Sequence, residues 1–228
     1  MERYIRQISL PEIGEEGQYK LKKAKVLIVG VGGLGSPAAL YLVAAGVGKL
    51  GIVDADIVGL SNLQRQILYS EPEQGELKVN IAQKRLNELN SHVEVVSYPE
   101  YLNSENIARI ISDYDIVVDG CDNFETRYLL SDYCMAMGKT YVYGAIEGFV
   151  GQVALFDGKH SIKTYRDLYP ACGEVSEMER AVVGTTAAVV GAVQAHEVLK
   201  VICGYGKPLY GRLWYIDLRT MQSGIIEL

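Results

Sequence analysis

Residues 25–35, KVLIVGVGGLG, constrain the fold of this chain more than any other segment. A near-continuous apolar run ending on glycine predicts a buried parallel strand. The glycines that follow permit a tight turn, close approach of backbone to a ligand, and close helix–strand contact. Gly30-Val31-Gly32-Gly33-Leu34-Gly35 is therefore a G-x-G-x-x-G placed between a strand and a helix predicted over 33–47. Asp54 ends the next predicted strand, 49–54, where a carboxylate can accept hydrogen bonds from ribose hydroxyls. These features predict a nucleotide on the carboxyl edge of a sheet, with Gly32, Gly33 and Asp54 against it. An NAD(P)-dependent oxidoreductase carries the same glycine pattern and acidic residue, so that class stays open. A Walker A loop is excluded, because Ser36-Pro37 stand where Lys-Ser/Thr is required.

The rest of the chain alternates. Helix is predicted over 76–90, 104–112 and 123–137, and strand over 93–97, 115–119 and 140–145. Such alternation favours right-handed βαβ units and a Rossmann-like, doubly wound α/β sheet. The last third changes character. Residues 148–156 predict a strand joined closely to its predecessor, a connection that suits antiparallel pairing. Residues 157–177 carry little periodicity and predict a long loop of functional or mobile type. A helix over 179–202, a strand over 212–217 and a terminal strand follow. The expected organisation is one domain over 1–228: an N-terminal helical segment (1–24), a parallel nucleotide-binding half (25–146) and a mixed, antiparallel half (147–228).

Composition narrows the function classes. Of 228 residues, 49% are hydrophobic and 22% charged, enough apolar material for one core and incompatible with disorder. A net charge of −6 provides no basic footprint for nucleic acid or an acidic membrane surface, so neither is expected as a partner. The four cysteines, 121, 134, 172 and 203, form no CxxC pair, which predicts a reduced, cytoplasmic protein. The opening MERYIRQISL lacks the apolar core of a signal peptide. The apolar stretch 181–193 is too short for a bilayer and suits a buried helix.

A triphosphate on this edge would need its charge neutralised, and Arg65, Lys78 and Arg127 each follow a predicted strand end. Asp119-Gly120-Cys121-Asp122-Asn123 runs from a buried strand into a helix start. Asp122 there can hold Mg²⁺ on phosphate oxygens, or Asp122 or Asn123 can cap the helix.

Taken together, GVGGLG, IVDAD, LSNLQRQ, LKV and DGCDN resemble the ubiquitin-activating (E1-like) superfamily, within it the bacterial sulfur-carrier adenylyltransferases of the ThiF, MoeB and HesA type. The opening Arg3-Tyr4-Ile5-Arg6-Gln7 and the late Gly204-Tyr205-Gly206-Lys207-Pro208 carry the resemblance across nearly the whole chain. It implies ATP-dependent adenylation of the C-terminal Gly-Gly carboxylate of a small ubiquitin-like carrier, for sulfur transfer in thiamine or molybdenum-cofactor synthesis. It also implies site roles. Arg65 and Lys78 would neutralise phosphates, Asp122 would bind Mg²⁺, Gly33 and Asp54 would contact adenosine, and Ser61, Asn62, Gln66 and Asn123 would complete the site. Arg6 would reach the triphosphate from the second subunit of a homodimer, and a sulfurtransferase is a possible further partner.

Two departures stand out. Many relatives bind zinc on two CxxC pairs; here the first site reads Thr164-Tyr165-Arg166-Asp167-Leu168-Tyr169-Pro170, and no cysteine follows residue 203, so no zinc is expected. Some relatives carry a cysteine before the long C-terminal helix, where this chain has Ser176-Glu177-Met178-Glu179. Cys172 in the loop is the nearest thiol, a substitute nucleophile or an ordinary loop residue. Cys121, Cys134 and Cys203 are expected to be core residues, and His196 structural. A non-catalytic dimeric binding module is the remaining alternative.

Overall fold

The computed structural model describes residues 2–160, 163–170 and 181–228. Eight strands form one sheet: β1 (Lys25–Val29), β2 (Lys49–Val53), β3 (Glu94–Tyr98), β4 (Ile116–Asp119), β5 (Thr140–Glu147), β6 (Val150–Phe156), β7 (Arg212–Asp217) and β8 (Gln222–Glu227). The helices are α1 (Ile5–Ile8), α2 (Gly14–Lys23), α3 (Gly35–Ala45), α4 (Lys78–Leu89), α5 (Ile107–Ile111), α6 (Phe124–Met137), α7 (Tyr165–Leu168) and α8 (Gly184–Cys203). Strand order is β3-β2-β1-β4-β5-β6-β7-β8. Pairing is parallel from β3 through β5 and antiparallel from β5 through β8.

The parallel half is buried on both faces. Val26 and Ile28 of β1 point into one core with α3, α4 and α8, while Leu27 and Val29 point into another with α5, α6 and α7. This period-2 sorting explains why strands such as β1 and β4 read as unbroken apolar runs. Left-handed glycines, Gly46 (φ +85°) and Gly138 (φ +61°), close α3 and α6.

Two expectations need correction. Residues 157–177 are not wholly irregular: Thr164 caps the short α7, and Tyr165 within it is fully buried. The apolar segment 181–193 is not too short for a bilayer: from Gly184 on it belongs to α8, whose 20 residues reach the length and apolarity of a membrane span, although the buried-helix expectation holds. It packs along α3, β5 and β6, as the core helix of a globular fold does.

The chain leaves β1 and returns for β4 on opposite sides, so the carboxyl ends of these neighbours form the topological switch point where open α/β sheets bind ligands. Gly30 (φ +88°) and Gly120 meet there: a Cβ on Gly30 would lie 2.5 Å from the Gly120 oxygen. Strand ends this close leave the following loops to diverge around a cleft.

Candidate nucleotide-binding site

A cavity of about 840 Å³ opens over that switch point, and elements after β1, β2, β3, β4 and β5 contribute to its walls. Its floor is the glycine loop, whose glycines divide into two kinds. Gly30 and Gly35 answer to the protein itself; a Cβ on Gly35 would sit 2.0 Å from the Gly30 oxygen. Gly32 and Gly33 do not. An added Cβ would come no nearer than 3.4 Å to the Gln66 side chain in the first case, and 3.4 Å to Ala187 Cβ and 3.5 Å to Arg65 Cγ in the second, which are ordinary contacts. Both line the cavity, where a bare backbone lets a ligand approach. The loop is also held. Val31 donates its N–H to Asp54 Oδ2 at 2.9 Å, and its carbonyl accepts from Tyr69 Oη at 2.8 Å and Ser36 Oγ at 3.2 Å. The N-terminus of α3 thus faces the cavity from a fixed position, a favourable place for anionic oxygens.

Asp54 follows β2 and accepts from Val31 N–H and, at 2.8 Å, from Asp56 N–H. Burial pushes its carboxyl above the ordinary aspartate value, against the Lys78 charge and both hydrogen bonds. Lys78, the first residue of α4, is 4% exposed. Its ammonium lies 2.9 Å from Asp56 Oδ2. Burial raises the Asp56 carboxyl, but hydrogen bonds from Lys78 and from the Tyr101 hydroxyl (2.8 Å) outweigh it and leave the group below its usual range.

Gln66 is buried beside Gly32, and its Oε1 has no partner among the described residues. An orphaned buried acceptor on a cavity wall fits a ligand that brings a donor or a bridging water. Arg65 lines the cavity and donates from Nη1 to the Ser61 carbonyl at 3.1 Å. Asp122 is exposed, lines the cavity and makes no hydrogen bond or ion pair among the described residues. Its neighbour resolves the capping question, since Asn123 Oδ1 accepts from Thr126 N–H at 2.8 Å and caps α6. A free carboxylate beside a cavity that already holds two cations is the hard oxygen donor Mg²⁺ favours.

Other expected site residues fall elsewhere. Ser61 and Asn62 shape the turn after β2, where Asn62 Oδ1 accepts from Gly59 N–H at 3.1 Å, and their side chains do not line the cavity. Arg6 on α1 is exposed and lies outside the cavity of its own chain. Arg127 is not a spare phosphate ligand. Its Nε lies 3.1 Å from the fully buried Asp119 Oδ2, and its Nη2 donates to the Cys121 carbonyl at 2.7 Å. Burial works against its charge, but Asp119 and the surrounding tyrosines hold it protonated. Tyr141 Oη donates to the same Asp119 oxygen at 2.8 Å, and Gln194 of α8 donates to the Asp119 carbonyl at 2.7 Å. The turn carrying Asp122 is therefore anchored from three elements. Cys121, Cys134 and Cys203 are buried free thiols, as expected of core residues. Cys172 lies outside the described residues, among which no three His, Cys, Asp or Glu cluster as a metal site.

Sequence reasoning missed Asp56 and Tyr101, and it missed the aromatic wall of Phe124, Tyr143, Tyr165 and Tyr169 at the β5–β6 side. Asp56 could have been found as the second acid of Asp54-Ala55-Asp56, but the tyrosines carry no local signal.

The ThiF family pattern matches residues 4–228. The chain belongs to the ThiF family. It is 50% identical over 226 residues to a sulfur carrier protein adenylyltransferase of Thermus thermophilus, covering 95% of this chain and 83% of that one. It is 44% identical over 225 residues to a probable molybdopterin-synthase adenylyltransferase of Porphyra purpurea, covering 96% of this chain and 59% of the relative. Against adenylyltransferase and sulfurtransferase MOCS3-1 of Zea mays it is 43% identical over 230 residues, and there it spans 49% of the relative's length. Among solved structures, PaaA superposes with a TM-score of 0.84 at 24% identity, over 99% of this chain and 72% of PaaA. Escherichia coli MccB with succinimide superposes at 0.86 and 24% identity, over 99% and 70%. These superpositions show that the chain shares the fold of PaaA and MccB.

Proposed function

We propose that this chain uses ATP to adenylate the C-terminal carboxylate of a small ubiquitin-like sulfur carrier. A carboxylate oxygen bonds to the α-phosphorus, the bond from that phosphorus to the bridging oxygen breaks, and pyrophosphate leaves with its electron pair. The product is an acyl-adenylate. Both reactants are anionic, so the chain must bring positive charge and hold the two in line.

One observation carries this proposal: Arg65, Lys78 and Asp122 converge on the cavity floored by Gly32 and Gly33. Hydride transfer has no use for such a set, which disfavours an oxidoreductase. Gly32, Gly33 and the start of α3 cradle phosphates, Arg65 and Lys78 neutralise them, and Asp54 and Gln66 hold the nucleoside. Asp122 would hold Mg²⁺, which supplies charge neutralisation on the phosphates when bound. No side chain needs to act as nucleophile; the protein positions and neutralises. The aromatic wall and the β5–β6 surface, with Gly151 and Gln152, form the approach for an extended Gly-Gly tail.

Further parts rest on the resemblance. Arg6, exposed and away from its own cavity, reaches a neighbouring subunit's triphosphate in a homodimer. The activated carrier feeds sulfur transfer for thiamine or molybdenum cofactor, with a sulfurtransferase as donor. Three buried free thiols suit a reducing, cytoplasmic location.

ATP–pyrophosphate exchange with Mg²⁺ and Gly-Gly-ended carriers tests the proposal. Exchange that requires the intact carrier tail, and falls roughly a hundredfold in Asp122→Ala with the fold retained, is expected. Absence of ATP binding by the wild-type protein overturns it.

A further inference from the structure

Strand order fixes how a nucleotide can lie along this edge. The glycine loop follows β1 and Asp122 follows β4, Asp54 follows β2, and the segment after β3 is next in line. With phosphates over Gly32 and Gly33 and the ribose at Asp54, the base must extend toward the chain beyond β3. Tyr101 stands there. Its side chain lines the cavity, yet the residue is 68% exposed, and its ring packs on no other ring and under no cation among the described residues. An aromatic face left open at a cavity mouth is available to stack on a planar ligand. Its orientation is set at one point, where the hydroxyl donates to Asp56 Oδ1 at 2.8 Å. The other oxygen of that carboxylate accepts from the Lys78 ammonium at 2.9 Å. The Lys78 backbone N–H also donates to the Asp56 carbonyl at 2.9 Å, so the segments after β2 and β3 and the start of α4 meet at Asp56.

We infer that Tyr101 is the base-stacking wall of the nucleotide pocket, and that Asp56, the partner of Lys78 before phosphate arrives, orients its ring. The inference deepens the adenylation proposal and rests on it. Stacking tolerates any base, so Tyr101 adds affinity for the nucleoside without selecting adenine over guanine. The hydroxyl serves only to aim the ring.

Calorimetric titration with α,β-methylene ATP, α,β-methylene GTP and inorganic tripolyphosphate, each with Mg²⁺, tests this on the full chain. In Tyr101→Leu, binding of both nucleotides is expected to weaken about tenfold, the effect of losing one base–aromatic stack, with tripolyphosphate unchanged. Tyr101→Phe keeps the ring face and is expected to lose about threefold or less. Nucleotide affinity within twofold of wild type in Tyr101→Leu overturns the inference. So does an equal loss for tripolyphosphate, which would place the effect on Lys78 alone. Wild-type protein that binds no nucleotide instead overturns the adenylation proposal, an outcome distinguishable from these.

Discussion

Lys78 and Arg127 border one cavity, each set against a carboxylate, and the two pairs serve different ends. The Arg127–Asp119 pair is closed. Asp119 is fully buried, and its side-chain and backbone oxygens are taken by Arg127, Tyr141, Cys121 N–H and Gln194. The Lys78–Asp56 pair is open on one side: the lysine side chain is 5% exposed but its aspartate partner 50%. A cation whose counter-ion is half in water can exchange that partner for an anionic ligand at modest cost, because the released carboxylate rehydrates. A cation whose counter-ion is sealed cannot. One pair therefore reads as part of the ligand machinery and the other as scaffold for the turn that carries Asp122.

The sharpest way to break this contrast is Asp119→Ala. It strands the Arg127 charge in the interior and is expected to cost about 3–5 kcal/mol in chemical denaturation, since among the described residues the guanidinium has no second carboxylate and keeps only carbonyl acceptors. A cost below about 1 kcal/mol, the scale of an exposed pair, would show that the pair is not sealed. Lys78→Met should behave oppositely. Stability in the same assay is expected to stay within about 1 kcal/mol of wild type, because the orphaned Asp56 faces water. Carrier-dependent pyrophosphate exchange should drop about ten- to hundredfold, the scale of one lost hydrogen bond to a charged group. A stability loss as large as that of Asp119→Ala would erase the distinction.

The smallest effect concerns Asp54. Burial holds its carboxyl above the ordinary aspartate value of 3.8, so it protonates sooner on acidification than an exposed aspartate. Affinity for α,β-methylene ATP should fall as pH drops through that raised pKa, and Asp54→Asn should lack this component of the profile. The stability sign is opposite. A carboxyl whose folded pKa exceeds its unfolded one contributes stability that is fully present below the unfolded pKa and lost as pH rises through the folded one. An affinity midpoint at or below 3.8 would contradict the burial effect.

Much of the parallel half was legible because its information is local. The runs VLIV and DIVV are apolar at every position, as strands buried on both faces must be, and β1 and β4 fall within a residue of expectation. The antiparallel turn from β5 to β6 was legible too, from a strand following its predecessor too closely for a crossover. Helix ends were less so: the predicted 104–112 shrinks to Ile107–Ile111, because Asn103 and Asn106 organise a turn before α5. Arg127 shows where reading stopped. Its partners come from β4, the turn after it and Gly144 of β5, and nothing near it in sequence announces burial. Ser61 and Asn62 differ in the other direction: the motif placed them in the site, while the Asn62 side chain and the Ser61 carbonyl serve the turn. Tyr101 sits in Tyr98-Pro99-Glu100-Tyr101, which has no pattern to distinguish it; only strand order places it at the cavity mouth.

Val31 is gripped through its N–H by Asp54 and through its carbonyl by Tyr69 and Ser36. A loop restrained on both sides has little conformational entropy left to lose when a ligand arrives. Association should therefore be limited by encounter rather than by loop rearrangement, with one kinetic phase whose rate grows linearly with nucleotide concentration. Differences in affinity among nucleotides would then appear chiefly as differences in how long each one stays.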